Sequence, residues 1–165
     1  MPNWCDNRLE IYHNDPKKIS RVINAYNRGE LCNEFIPMPN NEWNYEWCWE
    51  NWGIKWDIGC DEVEDTESDN ITLDFRSTWY PPIKLYKQLE KEGYEVSALY
   101  LEESNDFAGI YSNGVDDDYD MSERESMPNA LIEWFEDMGI DEFDSDSDAD
   151  SGIDCEAVLL ENEFH

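Results

Sequence analysis

The 165-residue chain is short of positive charge: 11 Lys and Arg stand against 41 Asp and Glu, for a net charge of -30. That balance speaks against direct binding to nucleic acid or to an anionic membrane, since both are polyanions. Histidine is almost missing as well. His13 and His165 are the only two, and they are far apart in sequence. No Ser-His-Asp order, H-x-x-x-H spacing or glycine-rich phosphate loop occurs. An enzyme gathers a nucleophile, base or metal in a pocket, and carboxylate pairs this common say nothing about glycosidase-like chemistry. The sequence therefore reads as a non-enzyme, without cofactor or metal site. Its five cysteines, Cys5, Cys32, Cys48, Cys60 and Cys155, include no C-x-x-C pair. Their odd number and wide spacing suit reduced thiols better than a disulfide framework or a zinc or iron–sulfur cluster. No apolar run is long enough to span a membrane, and no basic-then-apolar signal opens the chain. The expectation is a cytoplasmic protein.

Aromatic residues, by contrast, are plentiful at 14%. Disordered acidic chains lack them, so most of this chain is expected to fold, as one domain with an appendage. Residues 43–57 hold Trp43, Trp47, Trp49, Trp52 and Trp56, five of the eight tryptophans. So many indoles in one segment predict a packed hub, with Gly53 allowing a tight bend and Lys55 lying over an indole face. Core packing is the plainer role of this segment, and an aromatic binding surface is the alternative. Trp52, Lys55, Trp56, Asp57 and Trp79, with Asn51 and Thr78, are the candidates to line a cleft there. The simpler role for the polar ones is to satisfy hydrogen bonds around buried indoles.

Periodicity gives the elements. Residues 3–12 alternate as a strand. Asp15-Pro16 opens a helix whose Ile19, Val22, Ile23 and Tyr26 form one stripe, stopped at Gly29. Phe35-Ile36-Pro37-Met38-Pro39 cannot continue a helix and leads as an extended loop to the hub. Residues 54–60 read as a short strand, and 70–79 as a half-buried one with Ile71, Leu73, Phe75 and Trp79 inward. Pro81-Pro82 starts a second helix, with Ile83, Tyr86 and Leu89, or Leu85 and Leu89, as its inner stripe and Gly93 as its stop. Residues 94–102 are apolar on both faces, as a central strand would be. Residues 106–112 form a last strand closed by the turn Asn113-Gly114. The order β-α-β-β-α-β, plus one strand, predicts an α+β, ferredoxin-like split βαβ fold with two helices on one face of an antiparallel sheet.

Five segments, taken together, resemble the YubB-type ferredoxin-like family of phage and conjugative-plasmid proteins. They are Pro2-Asn3-Trp4-Cys5 with Asn7 and Leu9; Phe35-Ile36-Pro37-Met38-Pro39; Asn51-Trp52-Gly53-Ile54-Lys55-Trp56-Asp57; Phe75 to Trp79 with Pro81-Pro82; and Asp106-Phe107-Ala108-Gly109. The resemblance covers 1–114 and implies the fold and a mobile-element origin. It implies no activity and no catalytic residue.

Residues 115–165 then form an acidic extension, with 19 acidic residues against Arg124 from Asp116 onward. A helix at about 127–138, capped by Ser122 or Ser126, carries the stripe Leu131, Trp134, Phe135 and Met138 and ends at Gly139. It is expected to dock by that stripe and show its carboxylates outward. A carboxylate loop over 141–154 and a short strand from Cys155 to Leu160 follow. Asp146-x-Asp148-x-Asp150 has the look of a calcium loop, but Gly152 and Glu156 fall at the seventh and eleventh positions, where the motif needs the sixth and twelfth. The stronger reading is imitation of a nucleic-acid backbone: eighteen excess charges match roughly 30 Å of duplex at one charge per ~1.7 Å. The predicted partner is a basic or nucleic-acid-binding host protein, a bacterial defence component. Glu133, Glu136, Asp137, Asp141, Glu142, Asp144, Asp146 and Asp148 are the candidate contacts. The competing functions are a metabolite or peptide binder using the Trp cleft, and an acidic structural protein whose charge serves solubility.

Overall fold

The computed structural model describes residues 3–60 and 63–139. The expected loop 141–154, with Asp141, Glu142, Asp144, Asp146 and Asp148, and the expected strand near Cys155 lie outside the described residues.

Strand β1 (Trp4–Tyr12) is followed by α1 (Pro16–Asn27), and both match the sequence pattern. Asp15 caps α1 by accepting from the Lys17 N–H at 3.0 Å, satisfying a donor that the first helical turn leaves unpaired. The helix buries Ile19, Val22, Ile23 and Tyr26 as one stripe. Two short helices then appear that periodicity did not announce, α2 (Leu31–Phe35) and α3 (Tyr45–Asn51). α3 is built on the Trp hub and starts at Asn44, whose side chain accepts from the Trp47 N–H. Beyond it come β2 (Asn70–Thr78), α4 (Ile83–Lys91), β3 (Glu95–Glu102), β4 (Phe107–Ser112), β5 (Val115–Asp120) and α5 (Asn129–Asp137).

The five strands form one antiparallel sheet in the order β2-β1-β3-β4-β5, with β3 central as expected. Leu9, Ile11, Leu73, Phe75, Val96 and Ala98 point to one face. There they pack with α1 and α4 in the main core, through Ile19, Val22, Ile23, Leu85, Tyr86 and Leu89. The opposite face carries a second, smaller core, in which α5 buries Leu131, Trp134 and Phe135 against Leu101, Ala108, Met121 and Met127. The expected docking of the last helix is therefore found, with α5 on the sheet face opposite α1 and α4.

Several expectations are corrected. Residues 54–60 are not a strand. Ile54, Trp56 and Ile58 are buried in alternation, which is the period the sequence shows. Their backbone donors, however, go to side chains: Lys55 N–H to Thr78 Oγ1 at 2.8 Å and Ile58 N–H to Asp57 Oδ1 at 2.8 Å. Trp79 does not continue the inward row of β2, because its backbone turns into the left-handed region at φ 69. The boundary drawn at 114/115 cuts through the β4–β5 hairpin. Asn113 and Gly114 both have positive φ there, the turn geometry that joins twisted strands most readily. α5 has no side-chain cap at Ser122 or Ser126. Instead Asp120 and Glu123 form a capping box one turn earlier, on the 3-10 segment Met121–Ser126. Cys5, Cys32 and Cys48 are buried free thiols, whereas Cys60 is disulfide-bonded. Reduced thiols thus hold for the first three.

Candidate functional site

The residues proposed to line a Trp cleft separate into two groups. Trp52 is fully buried, and its indole N–H donates to the Ile36 carbonyl at 2.9 Å. The Asp57 carboxylate accepts three backbone N–H bonds, from Cys32 at 2.6 Å, Asn33 at 2.9 Å and Ile58 at 2.8 Å. It thereby anchors the start of α2 to the hub. Desolvation nevertheless outweighs those donors and pushes its pKa up to about 7. Asn51 donates to the Trp47 carbonyl, and Thr78 accepts from Lys55. Through these bonds Trp52, Asp57, Asn51 and Thr78 hold the hub together. Lys55 and Trp56 do meet as expected, with the ammonium 4.5 Å from the indole centroid. His13 is likewise structural, its Nδ1 accepting from the Asp15 N–H at 3.0 Å.

Other rings reach the surface. Left-handed backbone is a true outlier for a bulky residue and costs roughly 1–2 kcal/mol. At Trp79 it turns the indole onto Trp49, with centroids 5.2 Å apart and planes 15° from parallel. Tyr45 and Tyr80 approach Trp49 edge-on, at 6.2 Å each. Tyr80 stacks on Phe107 at 5.9 Å, and Phe107 meets Tyr100 at 6.2 Å. Tyr45 and Tyr80 are 41% and 51% exposed, so the row forms an open platform. Of its members, the sequence pointed to Trp49 as part of the hub and to Trp79 as a cleft candidate. Tyr80 and Phe107 went unselected because they come from segments far from the hub in the chain.

Comparison with known proteins adds no relative: no family model, no curated protein and no solved structure matches the chain. The site must be read from its own chemistry.

Beside the platform lies the acidic surface. Between Val115 and Gly139 nine carboxylates are exposed: Asp116, Asp117, Asp118, Asp120, Glu123, Glu125, Glu133, Glu136 and Asp137. Arg124 is the one basic residue of that stretch. Glu133, Glu136 and Asp137 stand on the outer side of α5, as expected. The four aspartates of β5 were not foreseen, since strands disfavour Asp. They are fixed by pairing with β4, where Asp116, Asp118 and Asp120 lie opposite Tyr111, Gly109 and Phe107. Asp116 also accepts from the Tyr100 hydroxyl at 2.5 Å. Desolvation and that carboxylate push the Tyr100 hydroxyl well above its ordinary pKa, so it stays a donor. Gly109 makes this contact possible, because a Cβ there would come within 2.3 Å of the Tyr100 ring.

Among the described residues no helix is long and apolar enough to cross a membrane.

Proposed function

We propose that the protein is an acidic binding protein, not an enzyme, that occupies the nucleic-acid-binding surface of a basic host protein and blocks it as a DNA mimic. The observation that carries this reading is the run of nine exposed carboxylates on β5, the 3-10 turn and α5, all tied to the sheet. Next-nearest residues on a strand are about 6.8 Å apart, so Asp116, Asp118 and Asp120 set like charges in a regular row, at about twice the ~3.4 Å of axis per charge on one nucleic-acid strand. Charges held on packed elements avoid the ordering cost that a loose tail meets on binding. They also steer a cationic partner from a distance. The proposal includes a bacterial defence component as target and a cytoplasmic site of action in an infected or plasmid-bearing cell. That context follows from the YubB-type resemblance. With it goes the finer description of the fold as an elaborated ferredoxin-like split βαβ. In that description, β1 sits between β2 and β3, residues 54–60 take the place of a strand, and the β4–β5 hairpin is an addition.

The test uses two variants of equal charge. One carries Asp117→Asn, Asp118→Asn, Glu133→Gln and Glu136→Gln, none of which makes a hydrogen bond described above. The other neutralises four exposed carboxylates on the far loop, Glu64, Asp65, Glu67 and Asp69. Bacterial lysate proteins are loaded on immobilised duplex DNA at low salt, and displacement by each protein is measured. The wild type and the loop variant are expected to release the same DNA-binding proteins, and the ridge variant to need about tenfold more protein. No displacement, or equal loss in both variants, would overturn the proposal.

A further inference from the structure

We infer that the aromatic platform Tyr45-Trp49-Trp79-Tyr80-Phe107 is the arginine-reading part of the same docking surface, so that the basic partner is engaged through guanidinium groups stacked on these rings. The inference rests on the proposed acidic docking function and adds the chemistry that the partner must present.

The platform is continuous with one row of the acidic surface, Asp116, Asp118 and Asp120, while Asp117 and the carboxylates of α5 belong to the other side of the sheet. Phe107, at one end of the platform, lies opposite Asp120 across the β4–β5 ladder, in the row that holds Asp116 and Asp118. Tyr100 joins them, touching Phe107 with its ring and Asp116 with its hydroxyl. On another side of α3, a cleft of about 380 Å³ is lined by Trp43 and Trp47 together with Glu42, Glu46 and Glu50. Open rings beside the Asp116, Asp118 and Asp120 row select a cationic occupant, because the ring face and the acid attract the same charge. Two lysines border the area, and both are engaged. Lys55 lies over Trp56 and also reaches the Tyr45 ring, 5.8 Å from its centroid, so a cation already stands at that end of the platform, and the Lys84 ammonium donates to the Glu50 carbonyl. The protein already uses cation–ring contacts internally, with the Arg21 guanidinium 4.4 Å from the Phe35 centroid.

Arginine fits better than lysine for a physical reason. Its planar guanidinium is weakly hydrated and stacks on an aromatic face while its N–H groups still reach carboxylates, whereas an ammonium is a compact, strongly hydrated point charge. Carboxylates also favour arginine through bidentate pairing, so the platform's share of the preference is the part that loss of a ring removes.

Affinities of the full chain for fluorescently labelled hexa-arginine and hexa-lysine at low salt test the inference. Tyr80→Ala, which removes a half-exposed ring, is compared with the ridge variant and with Trp49→Ala. Hexa-arginine is expected to bind about fivefold more tightly than hexa-lysine. Tyr80→Ala should lose most of that preference, weakening hexa-arginine binding more than hexa-lysine binding. Equal binding of the two peptides, weakened alike in the ridge variant, would overturn the arginine assignment and leave the acidic ridge standing. A preference for arginine that survives in both Tyr80→Ala and Trp49→Ala would also overturn it. Arginine preference that is lost in Tyr80→Ala but unaffected in the ridge variant would keep the platform and remove the ridge. Failure to bind either peptide would sink both readings.

Discussion

Arg76 faces Asp6 across the β1–β2 ladder, with its Nε 2.9 Å from the carboxylate and both side chains almost closed to solvent. The pair lies on the sheet face that α5 covers, beside Leu101 in the register. Removing one partner breaks a buried ion pair, at a cost of about 3–5 kcal/mol. Arg76→Met is therefore expected to lower the urea midpoint sharply. The double variant Arg76→Met with Asp6→Leu should recover most of the loss, which equilibrium unfolding will show.

Gly109→Ala probes the contact that joins the platform to the acidic strand. The added methyl meets the Tyr100 ring at 2.3 Å and the Asp117 carbonyl at 2.7 Å. Over-packing of this kind costs about 1–3 kcal/mol. The expected result is a lower thermal midpoint together with a changed near-ultraviolet circular dichroism signal, as Tyr100 leaves Asp116.

Asp57 supplies a pH dependence. Its folded pKa of about 7 lies above the ordinary value near 3.9, so the folded state holds the proton more tightly than the unfolded one. Its contribution to stability is therefore complete below about pH 4 and is lost as the pH rises through about 7. Lowering the pH from 8 to 6 should raise the thermal midpoint of the wild type more than that of Asp57→Asn. Equal gains in the two proteins would show that Asp57 does not titrate in this way.

The second core makes the position of α5 testable. Trp134, 3% exposed, is among its largest members, and Phe or Trp to Ala changes in cores cost about 3–5 kcal/mol. Trp134→Ala is expected to lower stability and, at temperatures where the main core stays folded, to weaken displacement of DNA-binding proteins through misplaced Glu133 and Glu136. A variant that is less stable but displaces normally would show that α5 takes no part in binding.

The main core was legible from the chain because period and burial coincide there. The stripe of α1, the inward rows of β1 and β2, and the doubly apolar β3 are each fixed by residues close in sequence. β5 was hidden, since four aspartates in six residues contradict strand propensity and only tertiary pairing with β4 overrides it. The Asn113-Gly114 signal marked the turn without revealing the strand beyond it. α3 was hidden for the opposite reason: a segment so rich in indoles shows no apolar–polar contrast from which to read a period. Of the candidate site residues, Glu133, Glu136 and Asp137 were found because a helix stripe defines its own outer side. The platform was not, because Trp49, Trp79 and Phe107 meet only after the chain has folded.

One consequence concerns the rim of the sheet. Among the described residues β5 is an edge strand, and such rims tend to recruit further strands. On β5 the repeating aspartates set like charge against like charge in any two copies brought edge to edge. The groups proposed to capture a foreign cationic surface thus also keep the molecule from polymerising with itself.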